Sequence, residues 1–575
     1  MNGGGFLIEA QAPEQIFTPE DLTPEHRAIA KTTEEFWAKE VSPTVDELQH
    51  NPAATAKLLR KSAEIGLTAV VVPERFGGME LDLTSMMIVA QKLGGDGSYA
   101  ASHGAHTGIG TFPILLFGSE AQKRKYLPKL ASAETIAAYA LTEPQAGSDA
   151  LAARTRADLA PDGTHYVLSG QKMWITNGGF ADLYTVFAKI GGDKFTAFLV
   201  ERGWPGVSTG PDEKKMGLKG SSTTAVYFDN VQVPLENVLG EIGRGHIIAF
   251  NILNLGRLTL GAGVLGGCAD TIAVSIRYAK QRKAFGRCIA QFGMIQHKLA
   301  EMAVRTFAAE SVVYRVIGSI ESHLGGFSWE AGDAPQTMLK AVEEFAAECS
   351  LAKIFASEAL DYVVDEGVQI HGGYGYHQDY AVERAYCDSR INRIFEGTNE
   401  INRLLATGML LKRGRHGALP LMDAAAKLQE VIRKQAAGDE GDLVSNAKNI
   451  GLFLLAVAYR KYGDAIEEQQ EVIANITDVL MCAYAMEAAL LRARKIAGAG
   501  RSAQNASEMA LVFAEEATDL IGAAASAVLA ACSEGDLLRT NLTVLRRFTK
   551  HEPADTIGLR RRIAARLIET ERYIV

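Results

Sequence analysis

The residues best suited to chemistry lie between Gln369 and Arg403. One acid, Glu396, stands between Phe395 and Gly397. Apolar neighbours strip water from a carboxylate, disfavour its charge and raise its pKa toward the range of a general base. The same local pattern also fits a solvated glutamate at a helix start, with Gly397, Thr398 and Asn399 as cap residues. Earlier in the stretch, His371-Gly372-Gly373-Tyr374-Gly375-Tyr376 forms a Gly-rich turn, where missing Cβ atoms let backbone approach a ligand closely.

Three further segments carry groups of interest. They are Ala138-Tyr139-Ala140-Leu141-Thr142-Glu143-Pro144-Gln145-Ala146-Gly147-Ser148-Asp149, Lys172-Met173-Trp174-Ile175-Thr176-Asn177-Gly178, and Arg282-Lys283-Ala284-Phe285-Gly286. Hydroxyls can bond ring edges or phosphate oxygens, an indole can stack on a planar cofactor, and a guanidinium suits a pyrophosphate. Taken singly, Thr142 and Thr176 also read as ordinary strand residues, Trp174 as a core aromatic and Arg282 as a solvated cation. Together, the four segments resemble, in order and spacing, the acyl-CoA dehydrogenase family, flavoenzymes that desaturate acyl-CoA thioesters between the α and β carbons. The resemblance covers roughly residues 23–411. The run Asn251-Ile252-Leu253-Asn254-Leu255-Gly256-Arg257 and the long C-terminal extension look most like the very-long-chain branch.

Such a reaction needs a base for the α proton, an acceptor for the β hydride and donors for the enolate oxygen. No side chain accepts hydride, so a redox cofactor is required, and the resemblance implies FAD. It makes Glu396 the base, with flavin N5 taking the hydride. The Glu396 backbone N–H and a ribityl hydroxyl of FAD would hold the thioester carbonyl. Some members carry the acid just before the arginine matched here by Arg257; this chain has Gly256 there, so that alternative is missing. The matched cofactor positions are Leu141, Thr142, Gly147, Ser148, Trp174, Ile175, Thr176, Phe285 and Thr398, with Arg282, Gln369 and the glycines Gly372, Gly373 and Gly375 reaching the FAD of a neighbouring subunit. Many relatives have Gln eleven residues after that arginine; Gly293 stands here, so one flavin contact is missing or supplied differently. Ser148 matches a position that bonds CoA, Asn254 and Arg257 match positions near the CoA nucleotide and pantetheine, and Phe395 and Gly397 match positions flanking the thioester. The partners implied are acyl-CoA, an electron-transfer flavoprotein as electron acceptor and a second copy of the chain in a homodimer. An acyl-CoA oxidase and a non-catalytic assembly factor on the same scaffold are the rival readings.

The totals fit this reading. A chain of 575 residues suggests about three to four domains. An apolar fraction of 47% with 22% charged residues fits a soluble globular protein, and a net charge of −9 gives nucleic-acid binding no support. Six scattered cysteines with no CxxC pair read as reduced packing residues, and no metal-ligand set emerges. Met1 to Gln15 lacks the basic and apolar regions of a secretory signal, so a cytoplasmic location is expected. No apolar run approaching the 18 or more residues of a spanning helix is apparent.

The elements that must position these residues follow from periodicity. Residues 1–22 read as a flexible or loosely docked arm. Thr23-Pro24-Glu25 is a helix start, and helical spacing continues through an N-terminal α domain at 23–134. Short alternating runs punctuated by Gly, Asn and Asp then mark a mostly antiparallel β domain at 135–242, with Asn177-Gly178 as a hairpin signal. Long helices return at 243–412, the first broken around Gly256, and form a C-terminal α bundle. Residues 413–445 form a linker with an amphipathic helix, and 446–575 an extra helical domain. The fold class is therefore α+β on the α–β–α plan of the family, plus the extension. The 420–434 helix carries Lys427, Arg433 and Lys434, which suit a membrane surface, but Asp439, Glu440 and Asp442 follow and weigh toward packing on the extension.

Overall fold

A computed structural model describes residues 1–436, 441–500 and 502–575. The first long helix, Pro24–Phe36, starts where its sequence asks. Pro24 occupies the first turn, and the Thr23 hydroxyl oxygen accepts from the His26 N–H at 3.2 Å. Helices Leu83–Leu93 and Gly97–Gly104 complete the side of this domain that faces the site.

The middle of the chain forms one mixed sheet from β1 (Ala137–Ala140), β2 (Arg156–Leu159), β3 (His165–Thr176), β4 (Leu183–Ile190), β5 (Lys194–Glu201), β6 (Val207–Thr209), β7 (Thr223–Pro234) and β8 (Val238–Leu239). The order is β6-β7-β3-β2-β4-β5-β8, with β1 on β4. β1 and β2 run parallel to β4, and the other pairs are antiparallel. The hairpin expected at Asn177-Gly178 does not form, because β7 and β2 occupy both edges of β3. Asn177 does adopt φ +64, but its amide donates to the Ser102 carbonyl at 2.9 Å and ties the sheet to the N-terminal helices.

Helix Gly245–Gln281 runs unbroken through Gly256, against the break expected there. A mid-helix glycine costs only about 1 kcal/mol relative to Ala, which packing on both sides offsets. This helix lies against Ala346–His371, Gly293–His323 and Leu83–Leu93. It and Gln470–Gly498 are long and apolar enough to cross a membrane, contrary to the sequence expectation; both are largely buried in the protein core.

The arm at 1–22 is docked rather than loose. Phe6 and Leu7 are buried, and the Gly4 N–H donates to Glu348 at 2.6 Å. Glu20 pairs with Arg492 at 2.8 Å. Its Gly, Gln and Pro content hid this, because the anchors are long-range. The extension clasps helix Gly293–His323 through buried pairs: Arg315 with Glu487 at 2.6 Å, Arg492 with Glu310 at 2.8 Å and Arg560 with Glu301 at 3.0 Å. Helix Leu421–Ala436 turns Leu428, Val431 and Ile432 inward and packs on Leu443–Tyr462 and Gly535–Phe548. Of the acids expected after it, Asp442 caps Leu443–Tyr462, while Asp439 and Glu440 lie outside the described residues.

Candidate active site

Glu396 sits in left-handed backbone, φ +57, immediately before Gly397 at φ +79. Such a conformation is costly for a residue with a Cβ and persists only where its surroundings impose it. Here the following carbonyls are clamped. Arg257 Nε donates to the Glu396 carbonyl at 3.2 Å, Lys353 Nζ to the Gly397 carbonyl at 2.9 Å, and Asn402 Nδ2 to the Gly397 and Thr398 carbonyls at 2.7 and 3.0 Å. Thr398 caps helix Asn399–Arg415, its hydroxyl oxygen accepting from the Ile401 N–H at 3.2 Å. The helix-start part of the alternative reading holds, with Thr398 as the cap, but Glu396 is half-buried and its Oε2 is buried with no hydrogen-bond partner. Burial pushes the carboxyl up to about 7, against the opposing pull of Arg257 and Lys353. Gly256 bears directly on this group. A Cβ there would lie 2.5 Å from Oε2 and 2.9 Å from Cδ of Glu396.

Glu396 and Phe395 line a cavity of about 220 Å³. Thr176 and Gly256 line it beside them, and Thr271 and Val274 line it further along helix Gly245–Gln281. The span from Gly256 to Val274 is about 27 Å at 1.5 Å per helical residue. Helices Leu83–Leu93 and Gly97–Gly104 form the opposite wall, mostly with aliphatic, Ala and Gly residues. A Cβ at Gly104 would meet no atom within 4 Å.

On the sheet side, Lys172 and Glu143 form a buried ion pair at 2.7 Å. Glu143 also accepts from the Arg154 and Thr155 N–H groups at 2.6 and 3.1 Å, and Lys172 Nζ donates to the Leu141 carbonyl at 3.1 Å. Burial lowers Lys172 to about 8, against the pull of Glu143. This staple fixes the loop bearing Thr142, Gly147 and Ser148 against β3, where the Met173 N–H donates to the Thr142 carbonyl at 2.9 Å. Trp174 sits at a β-bulge between Lys172 and Ile175, with φ +57 and 59% of its surface exposed. The bulge turns the indole out of the sheet. The hydroxyls of Thr142, Ser148 and Thr176 make no hydrogen bond among the described residues, whereas the Ile175 side chain is buried in the sheet core.

A second group of expected residues gathers elsewhere. Arg282 and Phe285 leave the end of helix Gly245–Gln281, while Gln369 lies in the last turn of Ala346–His371 and Gly372 and Gly373 follow it. Tyr278 stacks on His371 and joins the two ends, and the Arg282 guanidinium lies 5.5 Å from the Tyr374 ring centroid. Phe285 is 95% exposed and Tyr376 87%. Gly293 stands beside the extension: a Cβ there would lie 3.9 Å from the guanidinium of Arg561.

Profiles for the N-terminal, middle and C-terminal domains of acyl-CoA dehydrogenase match residues 23–134, 138–231 and 243–410. The chain is 50% identical to a probable acyl-CoA dehydrogenase of Bacillus subtilis, covering 100% of this chain and 99% of that protein. The chain belongs to the acyl-CoA dehydrogenase family. Members are FAD-dependent oxidoreductases, and a further acyl-CoA dehydrogenase C-terminal profile matches the extension at residues 446–547. The very long-chain specific mitochondrial acyl-CoA dehydrogenase of Homo sapiens is 44% identical over 59% of this chain and 51% of its own length. Among solved structures, an acyl-CoA dehydrogenase complexed with FAD from Bacillus anthracis superposes with a TM-score of 0.98 at 49% identity, covering 100% of both chains.

Within this acyl-CoA dehydrogenase, the residues present fit FAD. Unbonded hydroxyls, an outward indole and an exposed guanidinium are the donors and planar surface a flavin dinucleotide needs. The roles that three parts of the site play in the fold are invisible to sequence reasoning. Asn254 and Arg257, expected near CoA, are buried and bonded to each other at 2.7 Å, and Arg257 braces the Glu396 carbonyl. Lys353 lies in no motif, Asn402 lies in the Gln369–Arg403 stretch with nothing to mark it, and Glu143 and Lys172 lie in two of the matched segments with nothing to signal that they pair. A lysine amid Leu351, Ala352 and Ile354 is the only outward signal for the first.

Proposed function

We propose that this chain desaturates long-chain acyl-CoA thioesters to trans-2-enoyl-CoA as a step of fatty-acid β-oxidation, with Glu396 as the base. The carrying observation is the unpartnered Glu396 carboxylate facing Gly256 in the lining of a long, mostly apolar cavity. Bound FAD supplies the hydride acceptor that no side chain can provide. Thr142, Ser148, Trp174 and Thr176 would hold it on the sheet side, and Arg282, Phe285, Gln369, Gly372 and Gly373 would reach the FAD of a second copy in a homodimer.

Glu396 takes the α proton of the thioester onto its carboxylate as the β C–H bond gives up its hydride, leaving the double bond between those carbons. The Glu396 N–H points its dipole at the thioester oxygen as enolate charge develops. Phe395 and Gly397 flank the thioester, Ser148 bonds the CoA moiety, and the buried Asn254–Arg257 pair keeps the base loop in place. The acyl chain fills the cavity and excludes water, which favours a carboxyl poised near neutral pH over a solvated one. Electrons leave to an electron-transfer flavoprotein.

Anaerobic bleaching of the flavin by an acyl-CoA panel tests the reading. Wild type bleaches with long chains. Glu396→Gln loses about 10²–10⁴-fold in rate with FAD still bound, the range for removing a general base. Gly104→Leu fills open space in the cavity wall and shifts the optimum to shorter chains. Full-rate bleaching in Glu396→Gln removes the assignment of the base, and a short-chain optimum in wild type removes the long-chain assignment. Stoichiometric peroxide in air without another acceptor would make the protein an oxidase, and FAD binding with no turnover on any acyl-CoA would make it a scaffold.

A further inference from the structure

Lys353, on helix Ala346–His371, is 0% exposed. Its ammonium donates to the Gly397 carbonyl at 2.9 Å and to Asn399 Oδ1 at 2.6 Å. Among the described residues no carboxylate lies within salt-bridge distance of it. Lysines are almost never fully buried unless paired, because an ammonium removed from water loses its hydration. Satisfying carbonyls does not require this charge, since the neutral amide of Asn402 already donates to the Gly397 and Thr398 carbonyls. Arg257 repeats the pattern from helix Gly245–Gln281. It is 4% exposed, and its partners are the Asn254 side-chain oxygen and the Glu396 carbonyl. Two buried cations thus stand behind one loop, each bonded to its backbone.

We propose that Lys353 is a positioning residue for Glu396, holding the 396–398 loop in its left-handed turn and supplying counter-charge when the carboxylate ionises. The inference rests on Glu396 being the base. The surrounding charges support it. Burial lowers Lys353 to about 7, and the carboxylate that opposes this most is Glu396. Glu358 and Glu400 also face Lys353, but Glu358 is held by Arg403 at 2.8 Å and Glu400 is exposed. Cys349, on the same helix, and Tyr139, on β1, are neutral neighbours of the cluster, both pushed up by burial.

The test compares wild type, Lys353→Met, Lys353→Arg and Lys353→Gln as FAD-loaded proteins. The protonated-carboxyl infrared band that Glu396→Gln removes reports ionisation of Glu396 without substrate. Wild type titrates near 7. Loss of a nearby opposite charge moves the midpoint of Lys353→Met up by about one unit or more, and Lys353→Arg restores it. Flavin reduction at neutral pH slows about fivefold in Lys353→Met with little change in substrate affinity, because raising the midpoint by about one unit from near 7 cuts the ionised base at pH 7 from about one half to about one tenth. A merely structural lysine would lower the thermal midpoint and leave the carboxyl titration and rate where they were, and that result overturns the proposal. Should Lys353→Met not fold, Lys353→Gln keeps a donor without the charge, and its carboxyl titration separates the two outcomes in the same way. If no acyl-CoA reduces the wild-type flavin, the proposed function fails, while the infrared titration still decides the role of Lys353.

Discussion

The loop at Phe395–Thr398 and the turn at Gly372–Tyr376 come from one stretch of chain, and both use a glycine in left-handed backbone, φ +79 at Gly397 and +62 at Gly372. Their surroundings are opposite. Side chains from three helices hold the carbonyls of the Glu396 loop, and a Cβ at neighbouring Gly256 would collide with the Glu396 carboxylate. At the Gly-rich turn, a Cβ on Gly372 or Gly373 would meet nothing within 4 Å, and the aromatic rings of Phe285 and Tyr376 face outward. A loop finished inside its own chain can place one atom and hold it in strain. A loop left open, with exposed apolar surface around a cation, is built to be covered by something else.

The sharpest way to break the closed half is Gly256→Ala. Its methyl would lie 2.5 Å from Glu396 Oε2, so the carboxylate must move. Misplacing a catalytic group by about 1 Å costs about 10²-fold in rate. We expect that loss in flavin reduction by acyl-CoA, with FAD content unchanged. Reduction within about twofold of wild type would show that the base tolerates displacement and that the clamp on its loop is incidental.

The open half should fail differently. Arg282→Ala and Phe285→Ala leave the base loop and its clamps intact. Removing one charged hydrogen-bonding group costs about 1.5–3 kcal/mol, or roughly 10–100-fold in affinity. FAD should therefore wash out of these variants on dilution and ultrafiltration, while protein resaturated with FAD recovers its reduction rate. Undiminished FAD retention in both would separate the exposed turn from the cofactor.

The same contrast explains how much is legible in the sequence. The three-part plan and the extension can be read, and Glu396 can be singled out as the proposed base, because helix caps, strand alternation and short motifs are local signals. Thr23, Thr398 and Gly397 act within a turn or two of where they stand. The clamp cannot be read, because Arg257, Lys353 and Asn402 meet only when three helices pack, and a lysine in a helix reads as a solvated charge until its burial is known. The hairpin at Asn177-Gly178 fails for a related reason: turn residues report local φ, while strand partners are chosen by the whole sheet. Docking of the arm likewise depends on Glu344, Glu348 and Arg492, which lie hundreds of residues away.

The smallest effect concerns stability alone and separates the halves without substrate. Burial pushes the Glu396 carboxyl up to about 7 in the fold from an ordinary value of 4.5. As pH rises from 4.5 to 7, the unfolded chain gives up this proton before the folded one does. The stability that the neutral carboxyl contributes is therefore present at low pH, is lost through that window and changes no further above it. Glutamine cannot titrate. Glu396→Gln should thus gain on wild type by about 2 kcal/mol between pH 5 and pH 8, a figure below the full shift because the residue is only partly enclosed. Arg282→Ala should track wild type across the same range, since it leaves the environment of Glu396 unchanged. Denaturant unfolding at the two pH values measures both differences. Parallel behaviour of wild type and Glu396→Gln would mean that the carboxylate is solvated in the absence of substrate, and that the acyl chain, not the fold, dries the site.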